Sequence, residues 1–239
     1  MPPDPHFACY RNPKLTHSVV SSVVPARQNR ETEVKIRIGN ARALRARLKQ
    51  LGLVRVHPKA LEDNVLFDTP DRALRKVRSI LRLRCYGSRW SVTYKGTPEP
   101  DRYFKSRLEL ESELDRPEAI EAIFRTLGLV PVFRYQKYRT RYAVPRKPGQ
   151  GEVWLEVALD ETPIGDFIEL EGSRRAIDRI AHALGYTRAD YSTASYGALY
   201  LDDCASKNIA PGNMVFEPPR HRARHPKTKT RIGSAPRAH

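Results

Sequence analysis

From Glu31 to Ile38 the chain alternates strictly, with Glu31, Glu33, Lys35 and Arg37 on one side and Thr32, Val34, Ile36 and Ile38 on the other. A period of two means a β-strand with two unlike faces. Comparable patterns recur at 80–86, 90–95, 106–114, 133–144, 152–160 and 166–171, and an eighth strand is expected at 60–68. Between them lie helical periods. Asn40 caps a run to Leu53 with Leu44, Leu48 and Leu51 inward; Pro117 opens a second helix that Gly128 closes. A third is expected over 173–184, ending at Gly185, and a short fourth over 193–201. Leu51-Gly52, Leu127-Gly128 and Leu184-Gly185 give the first three helices the same exit, a weak trace of internal duplication.

Eight mainly antiparallel strands with helices inserted among them make an α+β domain over 30–204. The first 29 residues hold several prolines and serines without a sustained period and read as a flexible extension; 205–239 reads as a basic, proline-containing tail. The charge follows this division. Of a net +16, the flanks carry most, with four Lys/Arg to one acid in 1–30 and eight to one in 205–239. The tail is therefore expected to add weak contact with polyanions or nucleic acid. The middle is rich in both signs, as befits a site for a charged ligand. Cys9, Cys85 and Cys204 have no metal-ligand spacing and fit a reducing compartment. No apolar run is long enough for a membrane helix, so the expected localisation is cytoplasmic.

Strand by strand, the charged faces accumulate. Arg82 and Arg84 share a side; so do Thr93 and Lys95; Arg107, Glu109, Glu111 and Glu113; Lys137, Arg139 and Arg141; Glu156 and Asp160; Glu169 and Glu171. On an open sheet each exposed pair would contribute little. If the sheet closes, these side chains line an interior, where charges need partners or a ligand. Opposing rows of Arg and Lys bind phosphoryl groups, and clustered carboxylates hold hard cations such as Mg2+ or Mn2+. Those are the parts for chemistry on a di- or triphosphate. A Walker-type loop is absent from the sequence.

The strand Glu31-x-Glu33-x-Lys35 taken with Phe67-Asp-Thr-Pro70, Leu81-Arg-Leu-Arg84, Thr93-Tyr-Lys95, Arg107-Leu-Glu-Leu-Glu111, Lys137-Tyr-Arg139, Asp160 and Gly165-Asp-Phe-Ile-Glu-Leu-Glu171 resembles the CYTH superfamily. These are the triphosphate tunnel metalloenzymes, which include class IV adenylate cyclases and thiamine- or inorganic triphosphatases. The resemblance covers roughly 30–202. It implies an eight-stranded closed β-barrel with helices packed outside, often in a homodimer, acting on a triphosphate-containing small molecule with Mg2+ or Mn2+.

By position, the resemblance makes Lys35, Arg82, Arg84, Lys95, Lys137 and Arg139 the grip on the polyphosphate, with Arg141 beside them. Arg82 and Arg84 equally suit a surface pairing with Glu109 and Glu111 in an open barrel. Glu31, Glu33, Glu169 and Glu171 resemble the metal end, and Glu31, Glu33, Lys35 and Glu171 the catalytic set. Glu109, Glu111 and Asp160 either bind metal or position basic side chains. Phe67-Asp68-Thr69-Pro70 is expected to be architectural, and Tyr196 either lines one mouth of the tunnel or anchors the last helix. Two reactions fit such a tunnel: hydrolysis of a triphosphate, or cyclisation of ATP to cyclic AMP and pyrophosphate. A silent polyphosphate- or nucleotide-binding module is the third reading. Hydrolysis needs the fewest contacts and leads.

Overall fold

A computed structural model describes residues 30–145 and 155–217. Eight strands, β1 (Arg30–Ile38), β2 (Val54–Asp68), β3 (Ile80–Tyr86), β4 (Arg89–Lys95), β5 (Lys105–Leu114), β6 (Val130–Ala143), β7 (Leu155–Thr162) and β8 (Gly165–Gly172), close into a barrel. Its order is β1-β5-β4-β3-β2-β6-β7-β8, and every neighbouring pair is antiparallel. Closure removes both sheet edges and gives the alternating faces an inside and an outside. The expected α+β barrel with external helices is borne out.

Among the described residues five α-helices accompany the barrel: α1 (Ala41–Gln50), α2 (Ala73–Lys76), α3 (Pro117–Thr126), α4 (Arg174–Ala183) and α5 (Tyr196–Lys207). Asn40 caps α1 by accepting the Ala43 amide at 2.9 Å, and Ser173 caps α4 through Ala176 at 3.3 Å. Leu44 and Leu48 of α1 and Ile177 and Ala181 of α4 share one buried cluster with Val34, Ile36, Val157, Leu159, Ile168 and Leu170. The apolar outer wall of β1, β7 and β8 is thus covered. That of β4 and β5 is not: Leu108 and Leu110 are 41% and 52% exposed, with Trp90 and Tyr94 beside them. Helices thus cover the apolar side along β1, β7 and β8 but not along β4 and β5.

The remaining differences are local. Strand β2 begins six residues earlier than expected, because its first half pairs with β6 through register shifts around His57 and Ala60 that break the alternation. Helix α5 starts at Tyr196, where Ser195 caps it, and runs to Lys207. The expected boundary at 204/205 therefore falls inside a helix. Beyond it, Met214 is buried and pairs with Tyr135, the Gln136 amide donating to the Met214 carbonyl at 2.8 Å. The turn that the sequence Pro145-Arg-Lys-Pro-Gly149 predicts between two strands lies largely outside the described residues.

Phe67 and Asp68 have the architectural place expected of them. Phe67 meets Phe124 of α3 edge-on at 5.2 Å between centroids, and the Asp68 carboxylate accepts the amides of Thr69, Leu74 and Arg75 at 2.7, 2.9 and 3.0 Å. Phe67→Ala should lower stability by about 3–5 kcal/mol, read from a denaturant melt. A loss below about 1 kcal/mol would mean α3 is not pinned through this ring.

Candidate active site in the barrel lumen

The inward residues of all eight strands enclose a cavity of about 200 Å3. Lys35, Arg82, Arg84, Lys95, Lys137, Arg139 and Arg141 line it, as do Glu31, Glu33, Glu109, Glu111, Glu169 and Glu171. Alternation brings each of them in: a one-residue slip of any strand would turn its charges outward. Arg37 leaves the set. It is exposed, donates to the Ile164 carbonyl at 2.9 Å and lies over the Phe167 ring.

The basic wall is held by buried acids. Arg139 donates to both oxygens of Asp160 at 2.6 Å each, and Lys137 adds 3.0 Å to the same carboxylate. Tyr196 completes the group by donating its hydroxyl to Asp160 at 2.5 Å, while its ring lies under the ammonium groups of Lys35 and Lys137. Tyr196 thus lines the lumen and anchors α5 at once. Asp160 is fully buried and bonded to both Lys137 and Arg139. Glu111 likewise holds Arg84 at 2.7 Å and Thr93 at 2.7 Å, and Glu109 holds Lys95 at 2.5 Å. Glu169 pairs with Lys35 at 3.2 Å and with Arg139. Burial alone would raise the Glu169 pKa, but Arg139, Lys137 and Lys35 together hold it well below the usual carboxylate range.

Three contributors were not singled out from the sequence. Glu62 is fully buried and within 3.4 Å of Lys137 and 3.7 Å of Arg139, with Asn64 donating to it at 3.2 Å. Those cations keep it ionised against the cost of burial. Lys105 donates to Glu33 at 2.7 Å; burial, with Lys35 and Arg107 alongside, pulls its ammonium down to about 8 despite Glu33. Tyr135 offers its hydroxyl oxygen to Arg82 at 3.4 Å. Extending the Arg107–Glu109–Glu111 alternation back one step would have found Lys105.

On the other side of the lumen Glu31 pairs with Lys95 at 2.6 Å, Glu156 with Arg141 and Glu33 with Lys35 and Lys105, while Glu171 has no ion pair among the described residues. Glu33, Glu171 and Glu156 are successive cross-strand partners on β1, β8 and β7, so three acids stand in one row. Like charges so placed repel. Burial, then Glu33, raises the Glu31 carboxyl to about 7, and burial with Glu31, Glu33 and Glu156 nearby raises Glu171 well above its usual range. Glu33 stays ionised, since Lys105 and Lys35 outweigh its burial. Among the described residues no three His, Cys, Asp or Glu side chains are already drawn together as a metal ligand set. The row nonetheless fits a hard divalent cation in kind: its donors are all carboxylate oxygens, and the charge it lacks is positive.

A CYTH-domain family model matches residues 29–195. A protein of Methanocaldococcus jannaschii described as a putative adenylate cyclase is 33% identical over 144 residues, covering 60% of this chain and 77% of that one. Among solved structures, one from Vibrio parahaemolyticus, described in the same words, superposes with a TM-score of 0.59 at 22% identity, over 70% of this chain and 95% of the other. One from Hippeastrum, described as a putative adenylyl cyclase with a dominant triphosphatase activity, gives 0.51 at 18% over 76% and 97%. At those identities the two structures speak for the fold.

Proposed function

The chain belongs to the CYTH-domain family, a family of phosphohydrolase- and adenylate-cyclase-like enzymes, and on that premise we propose that its lumen hydrolyses a triphosphate with the help of Mg2+ or Mn2+. The observation that carries this reading is the lumen's lining: cations from five strands and a row of carboxylates share one small cavity. At about 200 Å3 the cavity is below the usual range for a whole organic ligand, roughly 300–1,000 Å3, but suits a chain of phosphoryl groups.

In this reading Lys35, Arg82, Arg84, Lys95, Lys137 and Arg139 grip the phosphoryl oxygens, with Lys105 joining them. Charged donors fixed in advance stabilise the negative charge that shifts along the chain as the phosphorus–oxygen bond breaks. Asp160, Glu62, Glu109 and Glu111 hold those donors in place. Glu31, Glu33 and Glu171 would hold the metal. When bound, a hard divalent cation supplies Lewis acidity toward phosphoryl oxygen and activation of water.

Cyclisation of ATP is the second reading, favoured by the name of the 33% identical relative. Purified protein given ATP or inorganic triphosphate, with each metal in turn and all products resolved by ion exchange, separates the two. Phosphate with pyrophosphate from triphosphate, or with ADP from ATP, supports hydrolysis. Cyclic AMP with pyrophosphate overturns it in favour of cyclisation, and no turnover with tight binding leaves a binding module.

Arg84 offers a direct test of the grip. Burial, then its neighbour Arg82, depresses the Arg84 guanidinium, a strain that a bound polyanion would relieve. Arg84→Ala should weaken binding of inorganic triphosphate about 10- to 100-fold in calorimetry. Unchanged affinity would remove Arg84 from the proposed grip.

A further inference from the structure

A second cavity, of about 890 Å3, opens beside the lumen between β2, β3, α2 and the start of α5. Ile80, Lys105, Arg107 and Ser195 line both cavities, so the two meet at a throat. From that throat an aromatic wall leads outward. Tyr196 stands 6.0 Å from Tyr135, Tyr135 stacks on Phe133 at 5.8 Å, and Phe133 lies 5.8 Å from Tyr200. The first two face the lumen and the last two the vestibule.

The charge of the vestibule is one-sided. Arg72, Arg75 and Arg78 line its rim and Lys105 and Arg107 its throat, against the single acid Asp68. Asp68 is already engaged by three backbone amides. Among the described residues the three rim guanidiniums have no carboxylate or hydrogen-bond partner. Arg107 is the sharper case: its side chain is only 5% exposed, its Nε has no hydrogen-bond partner, and no ion pair holds it among the described residues. A buried guanidinium with no direct ion pair, only the nearby charge of Glu33, is costly unless a ligand completes it. Arg72 and Arg78 also adopt φ of 64° and 60°, a left-handed backbone that non-glycine residues seldom take.

We propose that the substrate is a triphosphate whose organic group carries a further phosphoryl group, the organic part lying along Phe133 and Tyr200 and the extra phosphoryl meeting Arg72, Arg75 and Arg78. This deepens the reading of the lumen as a triphosphate site and rests on it. A bare triphosphate would leave the vestibule empty, and an uncharged organic group would make no use of its exposed cationic rim. Guanidiniums are the side chains best shaped for paired hydrogen bonds to phosphoryl oxygens. The extra group has two chemical sources: a terminal phosphomonoester on the ribose, or the phosphodiester that begins a nucleic acid strand.

The test is calorimetry without metal on the full chain, with inorganic triphosphate, ATP, adenosine 3′-phosphate 5′-triphosphate and a 5′-triphosphorylated dinucleotide. A double variant, Arg75→Ala with Arg78→Gly, is run beside the wild type. Alanine suits the helical backbone at 75 and glycine the positive φ at 78. The expected result is that at least one of the two doubly phosphorylated ligands binds about tenfold or more tighter than ATP. That advantage should vanish in the double variant while inorganic triphosphate binds unchanged. Preference for the 3′-phosphate compound identifies a monoester and preference for the dinucleotide a diester, and either supports the proposal. Equal affinity for ATP and both doubly phosphorylated ligands, or an advantage that survives the double variant, overturns it with the lumen reading intact. Failure of inorganic triphosphate itself to bind overturns the lumen reading and this inference together.

Discussion

Glu171→Gln should abolish most metal-dependent turnover, by about 100-fold or more, while leaving the protein as stable as the wild type or more so. The two effects share one cause. Glu171 lies between Glu33 and Glu156 in the cross-strand row, has no hydrogen bond or ion pair among the described residues, and is raised well above its usual range by burial and by those neighbours. Such a carboxylate opposes folding whenever it is ionised. Its native pKa exceeds its unfolded one, so the native state holds more protons, and stability falls as pH rises from the unfolded value through the native one. Glu31, raised to about 7, adds to the same slope. The amide of Gln keeps the shape and removes the charge. The variant should therefore melt about 2–4 °C higher at neutral pH and show a flatter fall in stability above pH 5. Glu33→Gln should do the opposite to stability. Glu33 is the counter-ion of Lys35 at 3.0 Å and Lys105 at 2.7 Å, and losing it leaves two buried ammonium groups underpaired. If Glu171→Gln destabilises the apo protein, the acids are held by partners and the row is no cation site. If it turns over normally, Glu171 is not part of the machinery.

The barrel was legible because its interior is charged. Most soluble strands put polar side chains toward water, which says nothing about closure; here both signs recur on one face of strand after strand, and Lys35 with Glu169, like Arg139 with Asp160, meet on that face as cross-strand partners. Alternation could assign Arg82, Arg84, Lys95 and Lys137 to a face but not to a partner, since partners follow from strand order and register. Glu62 escaped notice for a local reason. It sits in Leu61-Glu62-Asp63-Asn64, where three consecutive polar residues hide the period, and only the pairing of β2 with β6 turns Glu62 toward Lys137 while Asp63 faces Arg134 outside. Helix α2 has four residues, too few for any helical period, yet it carries the rim of the vestibule. Helix α5 was foreseen too short because only Tyr196 and Cys204 are buried along it, which leaves no continuous apolar stripe to follow. The shape of the vestibule was beyond the sequence altogether, since it joins Phe133, Arg75 and Tyr200 from three separate elements.

Asp160→Asn should separate stability from affinity in the reverse sense to Glu171→Gln. Asp160 is fully buried and neutralises both Lys137 and Arg139, so its loss leaves two interior cations facing only Glu62 and Glu169. Breaking a buried ion pair by removing one partner costs about 3–5 kcal/mol, a large share of a domain's net stability. The same two cations are those proposed to grip the phosphoryl chain. In the wild type Asp160 already satisfies much of their charge; in the variant an incoming polyanion meets less competition. Inorganic triphosphate should then restore more stability to Asp160→Asn than it adds to the wild type, because ligand bound to the native state alone stabilises it as RT ln(1 + [L]/Kd). Thermal melts of both proteins, with and without a saturating excess of triphosphate at fixed ionic strength, give the comparison directly. Tyr196→Phe serves as the control: it removes one hydroxyl from Asp160 and no charge, so it should cost about 1–3 kcal/mol with no added response to triphosphate. An Asp160→Asn protein that melts as the wild type does would mean the carboxylate is not the counter-ion of this wall. One that loses stability and gains nothing from triphosphate would mean that Lys137 and Arg139 serve the barrel and not the ligand.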